Sequence, residues 1–216
     1  MAAIFLINPN TSARTLAMML DAARPHLPDG VSIQGAHAAT GVPMIVTAAD
    51  LEQSVAEVLR LGQAAGPEIT AIIIAAFGDP GLAALRATAL CKVIGIGEAA
   101  IRAAAAGGRR FGIATTTPGL VRAIEAKVAA LSLTAQFTGV RVSSLDPRRL
   151  AADPGRQERE LALCVDACIA RDGAQVVVIG GGPLSDTARA LHARFGAAVI
   201  EPIPAAIHHA LRFCRP

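Results

Sequence analysis

Two polar turns carry many of the residues that could do chemistry in this sequence, and each turn follows an apolar run. Residues 8–12 read NPNTS after AIFLI, and residues 115–117 read TTT after RFGIA. One such side chain is enough to cap the helix after a strand. Spare hydroxyls beside free backbone amides form an anion site, which suits a carboxylate or an imide oxygen. The ligand residues predicted here are Asn8, Asn10, Thr11, Thr115 and Thr116.

Two further turns are rich in glycine. FGDPG at 77–81 follows the run TAIIIAA, and the segment GGPLSD at 181–186 follows QVVVIG. Glycines in such turns allow a ligand or another part of the chain to approach the backbone closely. Neither turn has the GxGxxG or GxxxxGK[ST] spacing, so nucleotide binding has little support. The ligand residues predicted here are Ala76, Phe77, Gly78, Gly181 and Gly182.

The glycine-rich turns also hold the candidates for proton transfer or water activation. These candidates are Asp79, Ser185 and Asp186. Each one has a structural alternative, because short polar side chains at such positions also close Asx turns or cap helices. The catalytic groups therefore stay unassigned from the residues alone.

The four cysteines form neither a metal-binding nor a disulfide pattern. They are Cys91, Cys164, Cys168 and Cys214, and no CxxC, HExxH or GxSxG is present. Cys164 and Cys168 are four residues apart in a helical pattern, so they are expected to pack on one helix face. We therefore predict no metal site, and a reduced, cytoplasmic protein.

Composition excludes several classes of function. The 216 residues are 53% apolar, with six Phe, no Trp and no Tyr, which favours a large aliphatic core and argues against disorder. A net charge of +3 without basic clusters, and few aromatic rings, argue against nucleic-acid binding. No apolar run is long enough to cross a membrane. The opening MAAIFLINPN lacks a basic segment and is interrupted by Asn8-Pro9, so it is expected to be a strand and not a signal peptide.

Short apolar runs alternate with helical patterns along the whole chain. Such alternation predicts βαβ units and therefore α/β architecture with parallel sheets. The predicted strands are 3–7, 31–36, 70–76, 92–96, 110–115, 136–142, 175–180 and 197–201.

The chain also shows an internal duplication. Residues 4–16 resemble 111–124, residues 71–86 resemble 176–191, and residues 93–104 resemble 199–210, in the same order. We predict two pseudo-symmetric α/β halves, residues 1–100 with a C-terminal helix 203–216, and residues 101–202. Open α/β sheets bind ligands at the carboxyl ends of their strands, so the four polar turns are expected to face one cleft between the halves.

Five segments together resemble the hydantoin racemase branch of the aspartate/glutamate racemase superfamily. They are INPNTS at 7–12, AFGDPGL at 76–82, GIGEAA after the fourth strand, FGIATTT at 111–117 and EPIPAAI at 201–207. The resemblance spans nearly the whole chain. It implies two pseudo-symmetric α/β domains, no cofactor, and racemisation by two cysteines, one on each side of the substrate α-carbon.

This sequence departs from the family pattern at both cysteine positions, which fall at Ala76 and Gly181. Neither residue can transfer a proton, so thiol-based racemisation is not expected. The altered GGPLS segment changes together with these positions, which indicates a natural divergent subgroup and not a single engineered substitution.

Several functions stay open at this stage. The first is a racemase-like isomerase scaffold that binds a small carboxylate or a cyclic amide or ureide. The alternatives are a non-catalytic binder, or a lyase or hydrolase that uses Asp79, Ser185, Asp186 or water. A structural subunit of a hetero-oligomer has only the apolar composition in its favour, and the same composition predicts a homo-oligomer.

Overall fold

The computed structural model describes residues 2–214, which form two similar halves with a four-stranded parallel sheet each. The first sheet has the strand order β2-β1-β3-β4. The elements of this part of the chain are β1 Ala2–Asn8, α1 Ala13–Ala23, β2 Val31–His37, α2 Ala48–Gln53, α3 Val55–Gln63, β3 Ile69–Ile74, α4 Leu82–Thr88 and β4 Lys92–Gly95.

The second sheet repeats this topology with the order β6-β5-β7-β8. The remaining elements are α5 Ile96–Ala105, β5 Phe111–Thr115, α6 Val121–Ala130, β6 Phe137–Val142, α7 Pro147–Ala151, α8 Pro154–Ala170, β7 Val176–Ile179, α9 Ser185–Phe195, β8 Val199–Ile200 and α10 Pro202–Leu211. All strand pairs are parallel. The predicted two-half α/β architecture is confirmed.

The central strands are apolar along their whole length because helices cover both faces of each sheet. In β3, ITAIII, every residue except Thr70 is buried, and all four residues of β7 are buried. Strands that are buried on both faces read as continuous aliphatic runs, as the sequence does here.

Strand ends differ from the prediction where the chain turns early. The predicted strand 70–76 ends at Ile74, because Ala75 donates its last ladder bond to the Ile7 carbonyl and Asp79 then donates to the Ala76 carbonyl. The predicted strand 197–201 contracts to Val199–Ile200, since residues 196–198 form a 3₁₀ turn. Ala75 and Ala76 therefore belong to a loop and not to the sheet.

Two helices join the halves. Helix α10 returns to the first half, where Ile203, Ala206 and Ile207 pack in one core with Ile4 and Ile73. Residues 215 and 216 of the predicted final helix lie outside the described residues. The domain boundary predicted between residues 100 and 101 falls inside α5, whose buried face packs on both halves.

Within residues 2–214, no helix combines the length and the apolar character that crossing a bilayer requires.

Candidate functional site

The loops after β1, β3, β5 and β7 meet in one cleft between the two halves. The cleft has about 620 Å³ of empty space, its open mouth included, and each loop contributes at least one residue: Asn10, Ala76, Thr116 and Gly181. Strand ends from two sheets converge because the halves face one another with their carboxyl edges.

Glycine at position 182 permits the close approach of the two halves. A Cβ atom there would lie 2.6 Å from the Ala75 carbonyl oxygen and 2.7 Å from the Met19 sulfur. Any larger residue would push the second half away from the first. The backbone of the second half at Gly182 is therefore in direct contact with the first half at Ala75 and Met19.

Three residues that line the cleft have backbone amides without a protein acceptor among the described residues. In the described part of the chain, the amides of Phe77, Gly78 and Thr116 donate to no protein acceptor. All three residues line the cleft. Backbone amides without protein partners can donate to a carboxylate or a carbonyl oxygen.

Of the two asparagines at the end of β1 and in the loop after it, Asn10 lines the cleft and Asn8 holds the Asn10 side chain in place. The fully buried Asn8 donates from Nδ2 to Asn10 Oδ1 at 2.9 Å and to the Ser12 carbonyl at 3.0 Å. Ser12 caps α1 by accepting from the Thr15 amide. Thr11 does not line the cleft, and its amide donates to the Val42 carbonyl.

The three threonines at the end of β5 and directly after it divide in a similar way. Thr115 is fully buried and donates its hydroxyl to the Gly180 carbonyl at 2.8 Å, which ties the β5 loop to the β7 loop. Thr116 and Thr117 line the cleft. Thr115 therefore holds the second half of the cleft together without facing the ligand space.

Asp79 points away from the cleft, into the contact between the halves. Its carboxylate accepts from the amides of Gly97 and Glu98 at 2.8 Å each and pairs with Lys127 Nζ of α6 at 2.8 Å. Burial raises the pKa of Asp79, while the ammonium and the two amides act in the opposite direction. Its side chain is fully buried, so it positions the loop at 76–79 and has no oxygen left for a ligand.

The other two catalytic candidates also lie outside the cleft. Ser185 donates its hydroxyl to the Gly182 carbonyl at 2.7 Å, which closes the 3₁₀ turn that precedes α9. Asp186 is exposed and pairs with Arg189 on the same helix. The structure therefore brings none of the three acid/base candidates to the centre of the cleft.

Apolar side chains form much of the wall, and the turn-based reasoning did not identify them. Four of them are Ile45, Leu51, Leu120 and Leu184. Gln157 on α8 also lines the cleft, although it lies outside the four polar turns that the sequence pointed to. Its Nε2 donates to the Thr187 hydroxyl at 2.8 Å. Gln157 interrupts an apolar helix face, and only the packing of α8 shows that it reaches the cleft.

The two positions at which the sequence resemblance places the family cysteines, Ala76 and Gly181, both line the cleft. Ala76 is partly exposed there, and Gly181 has an extended backbone with φ of 168° that any residue can adopt. A Cβ on Gly181 would lie 3.0 Å from Leu184 Cδ1, so Leu184 occupies part of the space that a larger residue at position 181 would need.

The cysteines that the chain does possess are elsewhere. Cys164 and Cys168 are buried in the core of the second half, where burial raises the pKa of Cys168 to about 12 and keeps it a thiol. None of the four cysteines lines the cleft among residues 2–214. In the same residues, no group of three His, Cys, Asp or Glu side chains could hold a metal ion.

The loop 38–47 covers one side of the cleft and is anchored by Glu57. The Ala39 amide donates to Glu57 Oε2 at 2.6 Å, and Arg60 donates to the same carboxylate. The Arg60 guanidinium and the Ala39 amide lower the pKa of Glu57 from 4.5 to about 2.

We expect Glu57→Gln to reduce the free energy of unfolding in a pH-dependent way. A depressed folded-state pKa contributes stability that is complete above the ordinary pKa of 4.5 and is lost as the pH falls towards about 2. Urea unfolding of both proteins across this range should therefore show a difference that shrinks on acidification. Glu52→Gln, at an exposed position on α2, is the control. A difference in the free energy of unfolding that is independent of pH would contradict the role of the Glu57 carboxylate in anchoring this loop.

Comparisons with known proteins agree on one family over almost the entire chain. A sequence model described as Asp/Glu/Hydantoin racemase matches residues 4–210. A hydantoin racemase from Rhizobium meliloti is 34% identical over 207 residues, which cover 94% of this chain and 85% of that protein.

Solved structures give the same result. Allantoin racemase from Klebsiella pneumoniae superposes with a TM-score of 0.91 at 28% identity, over 98% of this chain and 87% of that one. Allantoin racemase from Pseudomonas fluorescens gives a TM-score of 0.91 at 24% identity, over 97% and 89% of the two chains, and this match bears on the fold alone. The resemblance found in the five sequence segments is confirmed.

Proposed function

Because this chain belongs to the Asp/Glu/hydantoin racemase family, we propose that it binds a small carboxylate or a cyclic amide or ureide in the cleft between its halves. The protein has the scaffold of a hydantoin or allantoin racemase and lacks the two-thiol acid/base pair. It needs no cofactor for binding of this kind.

One observation carries the proposal. The described residues that line the cleft include no Asp, Glu, His, Lys, Arg or Cys, yet they include Asn10, Thr116 and Gln157. The backbone amides of two other lining residues, Phe77 and Gly78, donate to no protein acceptor within residues 2–214. Such a lining can hold the oxygens and N–H groups of a polar ring. It offers no side chain whose pKa suits removal of an α-proton near neutral pH.

The contacts of the three acid/base candidates favour ligand binding over the lyase or hydrolase alternative. Asp79 and Ser185 are engaged with backbone groups, and Asp186 pairs with Arg189. Proton transfer by any of them would require the loss of these contacts. A bound water is the remaining reagent for such chemistry.

We expect ligands of this class to raise the melting temperature of the protein. A ligand at 100 times its Kd adds about 2.7 kcal/mol to the free energy of unfolding, and each kcal/mol raises the Tm of a protein of this size by about 2–4 °C. A thermal-shift screen of allantoin, substituted hydantoins, malonate, aspartate and glutamate measures this effect.

Ala76→Leu should abolish the shift by filling the cleft, whereas Ala84→Leu, on the exposed face of α4, should preserve it. If no ligand produces a shift in the wild type, the proposal is wrong. An equal shift in the wild type and Ala76→Leu would place binding outside the cleft.

The wild-type protein should not exchange the α-proton of these ligands. Incubation with enantiopure hydantoins and allantoin in deuterated water, followed by NMR, should show the uncatalysed rate only. Exchange that exceeds the buffer blank and disappears in Ala76→Leu would contradict the absence of acid/base chemistry.

A further inference from the structure

A second chamber opens directly beside the cleft. It has about 740 Å³ of empty space, open mouth included, and shares four lining residues with the cleft: Met44, Ala151, Gln157 and Pro183. The two spaces are therefore neighbouring compartments with a common wall. A ligand whose ring lies in the cleft could extend a substituent past this wall.

The outer chamber differs from the cleft in charge. Arg14 on α1 lines it, and in residues 2–214 its guanidinium pairs with no carboxylate. The acidic residue of the chamber, Asp186, pairs with Arg189 at 3.0 Å. The chamber therefore has one unneutralised positive charge.

Gln157 connects the two compartments. It is 8% exposed, and its Nε2 donates to Thr187 of the outer chamber at 2.8 Å. In the described part of the chain, no protein donor reaches its Oε1 atom, and no polar side-chain atom is both buried and unpaired. This oxygen must therefore face the open space, where it can accept from a ligand N–H.

We propose that the outer chamber binds an anionic substituent of the ligand, a carboxylate, through Arg14. This inference rests on the proposed function of the cleft, because the ring of the same molecule is held there. The guanidinium fork matches a carboxylate in two parallel hydrogen bonds, and no other cation lines the chamber among the described residues. The ligand class is a cyclic ureide or amide with a short acidic side chain.

The test compares two nearly isosteric hydantoins, one with a carboxymethyl and one with a carbamoylmethyl substituent, by isothermal titration calorimetry. The acid should bind about 10-fold more tightly than the amide, as expected for a hydrogen bond to a charged group. Arg14→Gln should remove this preference and leave the affinity for the amide and for allantoin unchanged. Arg24→Gln, an exposed arginine at the other end of α1, is the matched control and should keep the preference.

The outcomes separate this inference from the function on which it rests. If the amide and allantoin bind and the acid binds no better, or if Arg14→Gln keeps the preference, the anionic subsite is wrong and the function of the cleft stands. If none of the three ligands binds to the wild type, the anionic subsite is wrong, and the function of the cleft is wrong as well if the small carboxylates also give no thermal shift. Loss of the preference at high salt as well as in Arg14→Gln would add support, because the charge is exposed.

Discussion

Cysteine introduced at both Ala76 and Gly181 is expected to give a protein that exchanges the α-proton of its ligand and racemises it. Both positions line the cleft, one in the β3 loop of the first half and one in the β7 loop of the second. The family resemblance implies one thiol on each side of the α-carbon, and this pair would restore that arrangement. General acid/base catalysis contributes about 10²–10⁴-fold to a rate, so exchange in deuterated water should exceed that of the wild type by a factor of this order.

Space at position 181 sets one condition for this experiment. The new Cβ would lie 3.0 Å from Leu184 Cδ1 and 3.1 Å from its Cγ, so Leu184 must shift by a few tenths of an ångström. Adding Leu184→Ala to the double variant gives the thiol this room. The version with Leu184→Ala should be at least as active as the version without it.

Serine at both positions is the control, because a hydroxyl of similar size has a pKa too high to remove the proton. Each single-cysteine variant should exchange the proton of at most one enantiomer, since it has a thiol on one side of the carbon only. A double-cysteine variant that binds ligand in the thermal-shift assay and shows no exchange would contradict the assignment of Ala76 and Gly181 to the reacting positions.

Lys127→Met should lower the free energy of unfolding by about 3–5 kcal/mol, the cost of breaking a buried ion pair by removing one partner. Lys127 Nζ lies 2.8 Å from Asp79 Oδ2, and the two side chains are 16% and 0% exposed. Methionine of similar length would leave the Asp79 carboxylate buried with only the amides of Gly97 and Glu98. Urea unfolding measures the loss.

Two further variants make this prediction specific. Asp79→Asn in the Lys127→Met background should recover part of the stability, because the amide is neutral and asparagine tolerates the φ of 48° at this position. Arg189→Met breaks an exposed pair, whose side chains are 63% and 62% exposed, and should cost about 0–1 kcal/mol. Equal losses in Lys127→Met and Arg189→Met would show that Asp79 does not depend on Lys127.

The strands were accessible from the sequence because burial on both faces leaves a continuous aliphatic run, as in β3 and β7. The internal similarity of the two halves predicted that their turns would be equivalent, and the two sheets have the same strand order. Boundaries were less accurate, since Ala75 and Ala76 have strand composition but leave the sheet through turn hydrogen bonds.

The site was only partly accessible from the sequence. Polar turns at the carboxyl ends of strands pointed to the loops that form the cleft. They did not distinguish Asn10, which lines the cleft, from Asn8, which is buried and donates a hydrogen bond to the Asn10 side chain. Gln157 carried no local signal, because its role depends on how α8 packs against α9, where Thr187 lies.

By itself, the sequence determined the α/β architecture, the family resemblance and the absence of thiols at Ala76 and Gly181, because these follow from residue types and their order along the chain. Only the tertiary structure decided which polar groups face the ligand space. Asp79 shows the reason: its backbone has a φ of 48°, and its partner Lys127 comes from the other half of the chain. Side-chain direction in a turn depends on local backbone torsion and on distant packing partners, and neither can be read from the turn alone.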